Sequence, residues 1–576
     1  MECLIVSESY KASTKLLQGI PEQMEKIEAA YNQTVAFQIL LHNGQKNHYL
    51  LNEQFSIPDE IETPMYRIAI NTQLNYQAQF VEYYLAKDNI AYADKLIEEK
   101  SYTCDGDRYA PIYVEIPIDE TISKKNYSIE ILVFQSFINQ DDRLIARKQI
   151  DLAISDFKFP KNIKDNFKLD IWQQPSNLAR TFKVPLFGDE HFKLIDQMAK
   201  ILADIGQKSV TIIAGEIPWK GWFNYIVKDF PANLYEYSIV PIKRNKNGEI
   251  ICDFSLLDRY LNTFFKYGID WEINIFGLLG VWTPPFFPLN NDMEHPEKLV
   301  LRYFDEESSK MKFIKDKEDF QTYFRLLVDH MVGLGLWDKT YFNADEPKFN
   351  EVDKFQSSLK ALKEIEPSIK IKVAFDKEPV LEALIQDVDY PVTSFYCTTK
   401  HYKELSEKFS EKTQYYICNY PTKPNTFLHS PLLEARVQGL LAYYLKTNGL
   451  LRWAFNCWPI HARTDIRYNT AALPIGDNCL VYPGYNGNIL LSLRYKQLKR
   501  GIEDYWLLKE LENYDEQIAE KIVSAFLEKK SPSKWMMNSH ETDSSVFNLS
   551  DEKFYILQET IISKLIEVNQ GRKNDE

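Results

Sequence analysis

Over the first 160 residues the apolar positions recur with a period close to two. Residues 35–41, 66–70, 78–84, 112–116, 127–133 and 143–152 alternate apolar and polar side chains, or run apolar throughout, and turn residues separate them. With no long helical period between them, these strands predict an all-β sandwich over residues 1–163, a scaffold or accessory module without chemistry of its own. A polar break at 160–165 changes the rhythm. Strand-like runs at 167–172, 209–214, 272–279, 339–345, 369–375, 390–396, 413–418 and 449–455 now alternate with helical spacing. Phe192, Ile195, Met198, Leu202 and Ile205 lie on one face of a helix that Asp189 is expected to cap and Gly206 to end. Phe320, Tyr323, Phe324, Leu327, Met331 and Leu334 mark another, with Gly333 and Gly335 at its end. A third is expected over 432–445. Eight strand–helix units predict a (β/α)8 barrel over residues 164–505, with long loops. Beyond Leu493 the chain reads as helical, with Leu498, Ile502, Tyr505 and Leu508 at helix spacing. A C-terminal helical segment, 506–576, follows the barrel, with a polar loop at 531–543, a last amphipathic helix at 554–568 and a frayed end.

A chain of 576 residues is too long for one core, which agrees with two or three domains. Its formal net charge is −14 and no basic stripe stands out, which argues against a nucleic-acid partner. No apolar run approaches the ~20 residues of a membrane span. The N-terminal residues lack a basic region, a long apolar stretch and a small-residue cleavage site, so no signal peptide is expected. The seven cysteines are scattered singly, the pattern of reduced thiols in a cytoplasmic protein, and the nine histidines show no metal-ligand spacing. No metal or cofactor is expected. Aromatic residues make up 14% of the chain, a composition that suits sugar-binding clefts and β-rich cores alike.

The fourth barrel strand carries the candidate chemistry. Asp-Glu occurs eight times in the chain, but only Asp345-Glu346 follows an apolar strand and precedes a proline. Pro347 cannot donate to a sheet ladder, so the strand stops there and leaves both carboxylates at its C-terminal end. In a parallel barrel that is the face where active sites lie.

Five stretches carry a family resemblance, in this order: 341–347, 424–436, 449–458, 476–484, and 492–494 running on to 501–505. Together they resemble glycoside hydrolase family 123, β-N-acetylgalactosaminidases with a sandwich followed by a barrel. The resemblance implies substrate-assisted catalysis, in which the 2-acetamido oxygen of the sugar attacks its own anomeric carbon. It implies Asp345 as the group that orients the acetamido and Glu346 as the general acid and base. A general acid needs a raised pKa, which a neighbouring carboxylate and an apolar wall would supply. Neighbouring side chains on a strand point oppositely, so a twist or bulge must bring both carboxylates to one side. Ala344 and Arg452 depart from the family pattern, and Arg452 bears on the shape of the sugar pocket.

Aromatic residues near other strand ends are candidate pocket walls: Trp172, Tyr396, Tyr420, Trp453 and Trp458. Gln173, Asn343 and Asn456 are candidate partners for sugar hydroxyls. Each could instead pack the barrel. Arg436 and Arg494 are expected to pair with acids. Two functions follow: a cytoplasmic exo-acting hydrolase of β-linked N-acetylgalactosamine acting on oligosaccharide or glycoconjugate glycans, or a catalytically silent carbohydrate-binding barrel or hydrolase of another sugar.

Overall fold

One of the two N-terminal sheets is covered on both faces, and this explains its patterning. The computed structural model describes residues 1–14, 21–52, 65–86, 89–137, 140–161, 163–218, 233–279, 299–409, 412–467 and 474–575. A five-stranded sheet orders Glu2–Ser7, Gln33–His42, Ala110–Ile118, Gln77–Leu85 and Ala91–Leu96. A six-stranded sheet orders Lys26–Tyr31, Arg143–Lys158, Asn126–Ser136, Met65–Asn71, Asn47–Leu51 and Ser101–Cys104. Phe37, Ile39, Ile112 and Val114 from the first meet Ile129, Ile131, Val133 and Ile150 from the second in one core. The opposite face of the first sheet is apolar as well. Ala36, Val81, Ala93 and Tyr113 pack against Leu432 and Leu493 of the barrel helices. That second contact is why 35–41 reads as a continuous apolar run rather than an alternating one.

The barrel strands are β1 Lys168–Ile171, β2 Ser209–Ile213, β3 Glu272–Phe276, β4 Thr340–Asp345, β5 Ile371–Phe375, β6 Tyr390–Ser394, β7 Gln414–Tyr416 and β8 Gly449–Arg452. All pair in parallel, in the order β1-β8-β7-β6-β5-β4-β3-β2. A bridge from Leu169 to Gln207 and the bond from Lys208 N to Leu169 O (3.0 Å) all but close the ring between β1 and β2. The main helices are α1 Asp189–Ile205, α2 Ser255–Phe265, α3 Lys317–Gly333, α4 Val352–Ile365, α5 Glu378–Leu384, α6 Phe395–Phe409, α7 Leu432–Tyr444 and α8 Leu493–Glu512. One lies after each strand, as the alternation predicts, and the chain ends on a long helix from Asp551 to Asp575. Gly439 of α7 and Gly501 of α8 bring the two backbones together, since a Cβ on either would meet the other helix's carbonyls. Among the described residues no helix is long and apolar enough to cross a membrane.

Two expectations shift locally. Asp189 is the first residue of α1, with Gly188 at the N-cap position, and its carboxylate pairs with Arg259 (2.9 Å). The sixth strand stops at Ser394 rather than running to Tyr396. Ser394 Oγ accepts from Cys397 N (3.3 Å), and the hydroxyl starts α6 at once.

The barrel interior is plugged by charge. Lys372, on β5, points inward between Ile371 and Val373, which face the helices. Its Nζ donates to Asp170 Oδ2 of β1 (2.8 Å) and to Glu272 Oε1 of β3. Asn274 Nδ2 also donates to Asp170 (3.2 Å). All three ionic groups are buried, so each depends on the others for compensation. Lys372→Met should destabilise the barrel by about 3–5 kcal/mol, because two carboxylates lose their cation. Adding Asp170→Asn and Glu272→Gln should recover much of that loss. Denaturant unfolding of the single and triple variants, followed by tryptophan fluorescence, measures both.

Candidate active site

Strand β4 sets the geometry. Phe342 and Ala344 pack outward against the helices, while Tyr341 joins an inner cluster with Trp172, Phe276, Tyr416 and Ala454. Asn343 and Asp345 share the inward register with Tyr341. Regular alternation would send Glu346 outward. Instead its φ is +42°, a left-handed conformation uncommon for a residue with a Cβ and outside the extended region favoured before a proline. Glu346 N donates to Ala374 O of β5 (3.1 Å), and Tyr416 OH of β7 donates to Glu346 Oε1 (2.6 Å). The turn therefore brings the Glu346 carboxyl to the inner side of the rim, against Tyr416 of the inner cluster.

Glu346 is pushed up to about 7. Burial is the main cause, and the charge of Asp376, just beyond β5, adds to it. The Tyr416 hydrogen bond and Lys377 pull the other way. Asp376 is raised too, chiefly by burial. The Tyr416 phenol is driven far above its ordinary value by burial and by the facing carboxylate, so it remains the donor. A cavity of about 120 Å³ opens beside Glu346, lined by Asp376, Tyr396, Tyr416, Tyr420 and His540 among others.

The structure gathers some of the expected residues and separates others. Tyr396 lies on the first turn of α6, donates to Glu378 (3.0 Å) and reaches the cavity, as does Tyr420. Trp453 packs against the inner cluster, and its Nε1 donates to Asp477 Oδ2 (2.9 Å). Asn343 Oδ1 is buried and has no hydrogen-bond partner among the described residues, and the same holds for Trp172 Nε1. Neither residue lines the cavity beside Glu346. Gln173 is used internally, donating to Ile171 O and accepting from Thr211 N (2.8 Å). Asn456 is locked in reciprocal bonds with Gln174. Trp458 is buried beside Phe182, with Nε1 on Val481 O (2.8 Å). Arg452 is 0% exposed and binds Thr426 Oγ1 and Asp477 O (2.7 Å). It shares Asp477 with Trp453 and does not line the cavity. Arg436 pairs with Asp504 (2.7 Å) and Arg494 with Asp94 (2.8 Å), both buried.

Among the cavity residues not singled out from sequence are Asp376, Tyr416 and His540. Asp376 and Tyr416 sit at C-terminal strand ends, so the rule that found Asp345 covers them. His540 lies in the polar tail and carried no signal.

A parallel barrel whose C-terminal rim carries two successive carboxyl residues, one of them pushed up to about 7, has groups suited to acid–base chemistry. The chain belongs to glycoside hydrolase family 123: residues 172–511, more than half of it, match the model for "Glycoside hydrolase 123, catalytic domain". A solved structure of a family 123 glycoside hydrolase from Clostridium perfringens, described for glycolipid glycan hydrolysis, aligns over 99% of both chains. Its TM-score is 0.73 at 15% identity, a likeness of fold. A β-D-glucuronidase from Dictyoglomus thermophilum aligns over 79% of this chain and 69% of its own, at 11% identity and a TM-score of only 0.28. No curated protein matches the chain.

Where Glu346 serves as the acid, the alkaline limb of the pH–rate profile follows its protonated form. Asp376→Asn removes a like charge and should move that limb toward lower pH, by on the order of one pH unit. Tyr416→Phe removes the donor that favours the ionised carboxylate and should move it toward higher pH. Profiles of kcat/KM for the three proteins measure both signs.

Proposed function

We propose that this hydrolase removes terminal β-linked N-acetylgalactosamine from oligosaccharide or glycoconjugate glycans with retention, using the substrate's own acetamido group as nucleophile. The observation that carries the reading is the inward turn of Glu346 beside Asp345, with a carboxyl raised into the range of a general acid. In the first step the acetamido oxygen bonds to the anomeric carbon. The glycosidic C–O bond breaks, and Glu346 gives its proton to the departing oxygen. Asp345 accepts the acetamido N–H and stabilises the oxazolinium charge. In the second step Glu346, now a carboxylate, takes a proton from water as the water oxygen opens the oxazoline. In this reading Asn343 and Trp172 would meet sugar hydroxyls, and Trp453 a ring face. The chemistry uses no metal and no cofactor.

Seven free thiols support a reducing compartment, and we place the protein in the cytoplasm. Its substrate would then be an imported, already trimmed glycan. Fractionation with thiol labelling tests the location.

Aryl β-GalNAc, aryl β-GlcNAc and aryl β-galactoside, tested side by side, decide the substrate. The first should be hydrolysed fastest and the last, which lacks an acetamido group, not at all. Glu346→Gln should lower the rate on a substrate with a poor leaving group by the ~10²–10⁴ of general acid catalysis, and hurt an activated aryl glycoside less. Asp345→Asn should hurt both, by on the order of 3–4 kcal/mol in the barrier, with little rescue by a good leaving group. Equal leaving-group dependence in the two variants would overturn the division of roles.

A further inference from the structure

Beyond residue 511, where the family match ends, the chain comes back to the cavity beside Glu346. Trp535 anchors this return. Its ring is buried and packs on Phe395 of α6 (6.1 Å between centroids) and Tyr444 at the end of α7 (5.6 Å). From that anchor, residues 536–542 make a tight reversal. A bridge from Met536 to Thr542 and the bond from Met537 N to Glu541 O (2.8 Å) close it. At its tip Asn538 Oδ1 accepts from the backbone N–H groups of His540 (2.8 Å) and Glu541 (3.0 Å). Thr422 N donates to His540 O (2.9 Å), tying the tip to the loop after β7. The His540 ring then stacks on Tyr420 at 3.7 Å and 17°. Both rings are exposed, Tyr420 to 38%, and both line the cavity into which Glu346 opens.

The position of the acid says what lies there. A proton donor must touch the glycosidic oxygen, so the sugar being released lies on one side of it and the leaving group on the other. Asp345 shares the inward register of β4 and claims the barrel side for the acetamido sugar. The Tyr420–His540 side is left for the leaving group. Exposed aromatic faces offer an apolar surface to the C–H face of a pyranose, and pockets commonly combine such walls with few polar groups. Stacking on His540 also fixes the Tyr420 ring before ligand arrives, which lowers the ordering cost of binding.

We propose that the stacked Tyr420–His540 pair is the platform for the leaving-group sugar, a specificity-determining subsite supplied in part by the segment after the barrel. It rests on the proposed function for the identity of the acid and of the released sugar.

The probes are a disaccharide with β-GalNAc on galactose, and β-GalNAc fluoride, whose leaving group is too small to reach the platform. His540→Ala and Tyr420→Ala should each lower the disaccharide-to-fluoride ratio of kcat/KM by about 3- to 10-fold, the size of one lost aromatic contact. His540 also favours the ionised form of Asp376. His540→Phe separates face from charge, because it keeps a ring on Tyr420 and should restore most of the ratio. A second readout does not need turnover. In the Glu346→Gln background, adding His540→Ala should lower the preference for disaccharide over free GalNAc by a similar factor, measured by calorimetry. An unchanged ratio, an equal loss on both ligands, or failure of phenylalanine to restore it would overturn the platform. Hydrolysis of the fluoride by the wild type tests the proposed function separately, and the binding comparison stands whatever its result.

Discussion

Two carboxylates adjacent in sequence cannot share one face of a regular strand, and the rim of this barrel is organised around the way that constraint is met. Asp345 takes the inward register of β4, so Glu346 would point into the helical shell. The left-handed φ at Glu346 turns it back. Such a conformation costs on the order of 1–3 kcal/mol and persists only where neighbours over-determine it. Here those neighbours are visible. Ala374 accepts the Glu346 amide, Tyr416 donates to its carboxylate, and Pro347 prevents the strand from continuing. Strands β5 and β7 thus hold a strained residue on β4. Proline after glutamate is what a strand end needs, but it does not ease the conformation. The strain is offset by the barrel around it.

The same barrel handles charge differently at two levels. Deep inside, Lys372 neutralises Asp170 and Glu272, and the lysine is held above its ordinary value by the two carboxylates despite burial. At the rim around Glu346, compensation is incomplete. Tyr416 offers one neutral donor, while Asp376 adds a like charge. A carboxyl in that position gains from keeping its proton. The contrast separates a plug built for stability from a group left near its titration point, although both use buried acids.

Much of this was legible along the chain. The alternation of strands and helices gave the barrel, and the apolar run into Asp345-Glu346-Pro347 located its candidate chemistry. What sequence could not supply was the backbone angle at Glu346, because neither the Asp-Glu pair nor the proline encodes a positive φ. Nor could it tell which polar groups near strand ends stay open. Gln173 and Asn456 have the chemistry to bind a sugar, but the structure commits them to main-chain partners. Asn343, with the same side chain as Asn456, has an Oδ1 without a hydrogen-bond partner among the described residues. His540 was hidden for another reason. It comes from a polar tail with no periodicity, brought to the cavity by a tryptophan whose barrel partners, Phe395 and Tyr444, are more than 90 residues away along the chain.

The sandwich takes part in this support as well. Asp94, on its five-stranded sheet, accepts from Arg494 at the start of α8 and from Tyr482 (2.6 Å). Arg494 in turn donates to the carbonyls of Thr426, Gly476 and Cys479. Gly476 adopts a φ of +93°, and a Cβ there would crowd Leu428 N and the Arg494 guanidinium. The loop so held carries Asp477, which fixes Trp453 through Nε1 and takes the buried Arg452 beneath it. A continuous set of hydrogen bonds thus runs from the sandwich to an aromatic residue packed against the barrel's inner cluster. Arg452 belongs to this set. With a buried guanidinium, the loop must supply Asp477 and Thr426 as partners, because an unpaired charge at that depth would cost more than the loop gains from packing. The sandwich thereby fixes the loop on which Trp453 depends.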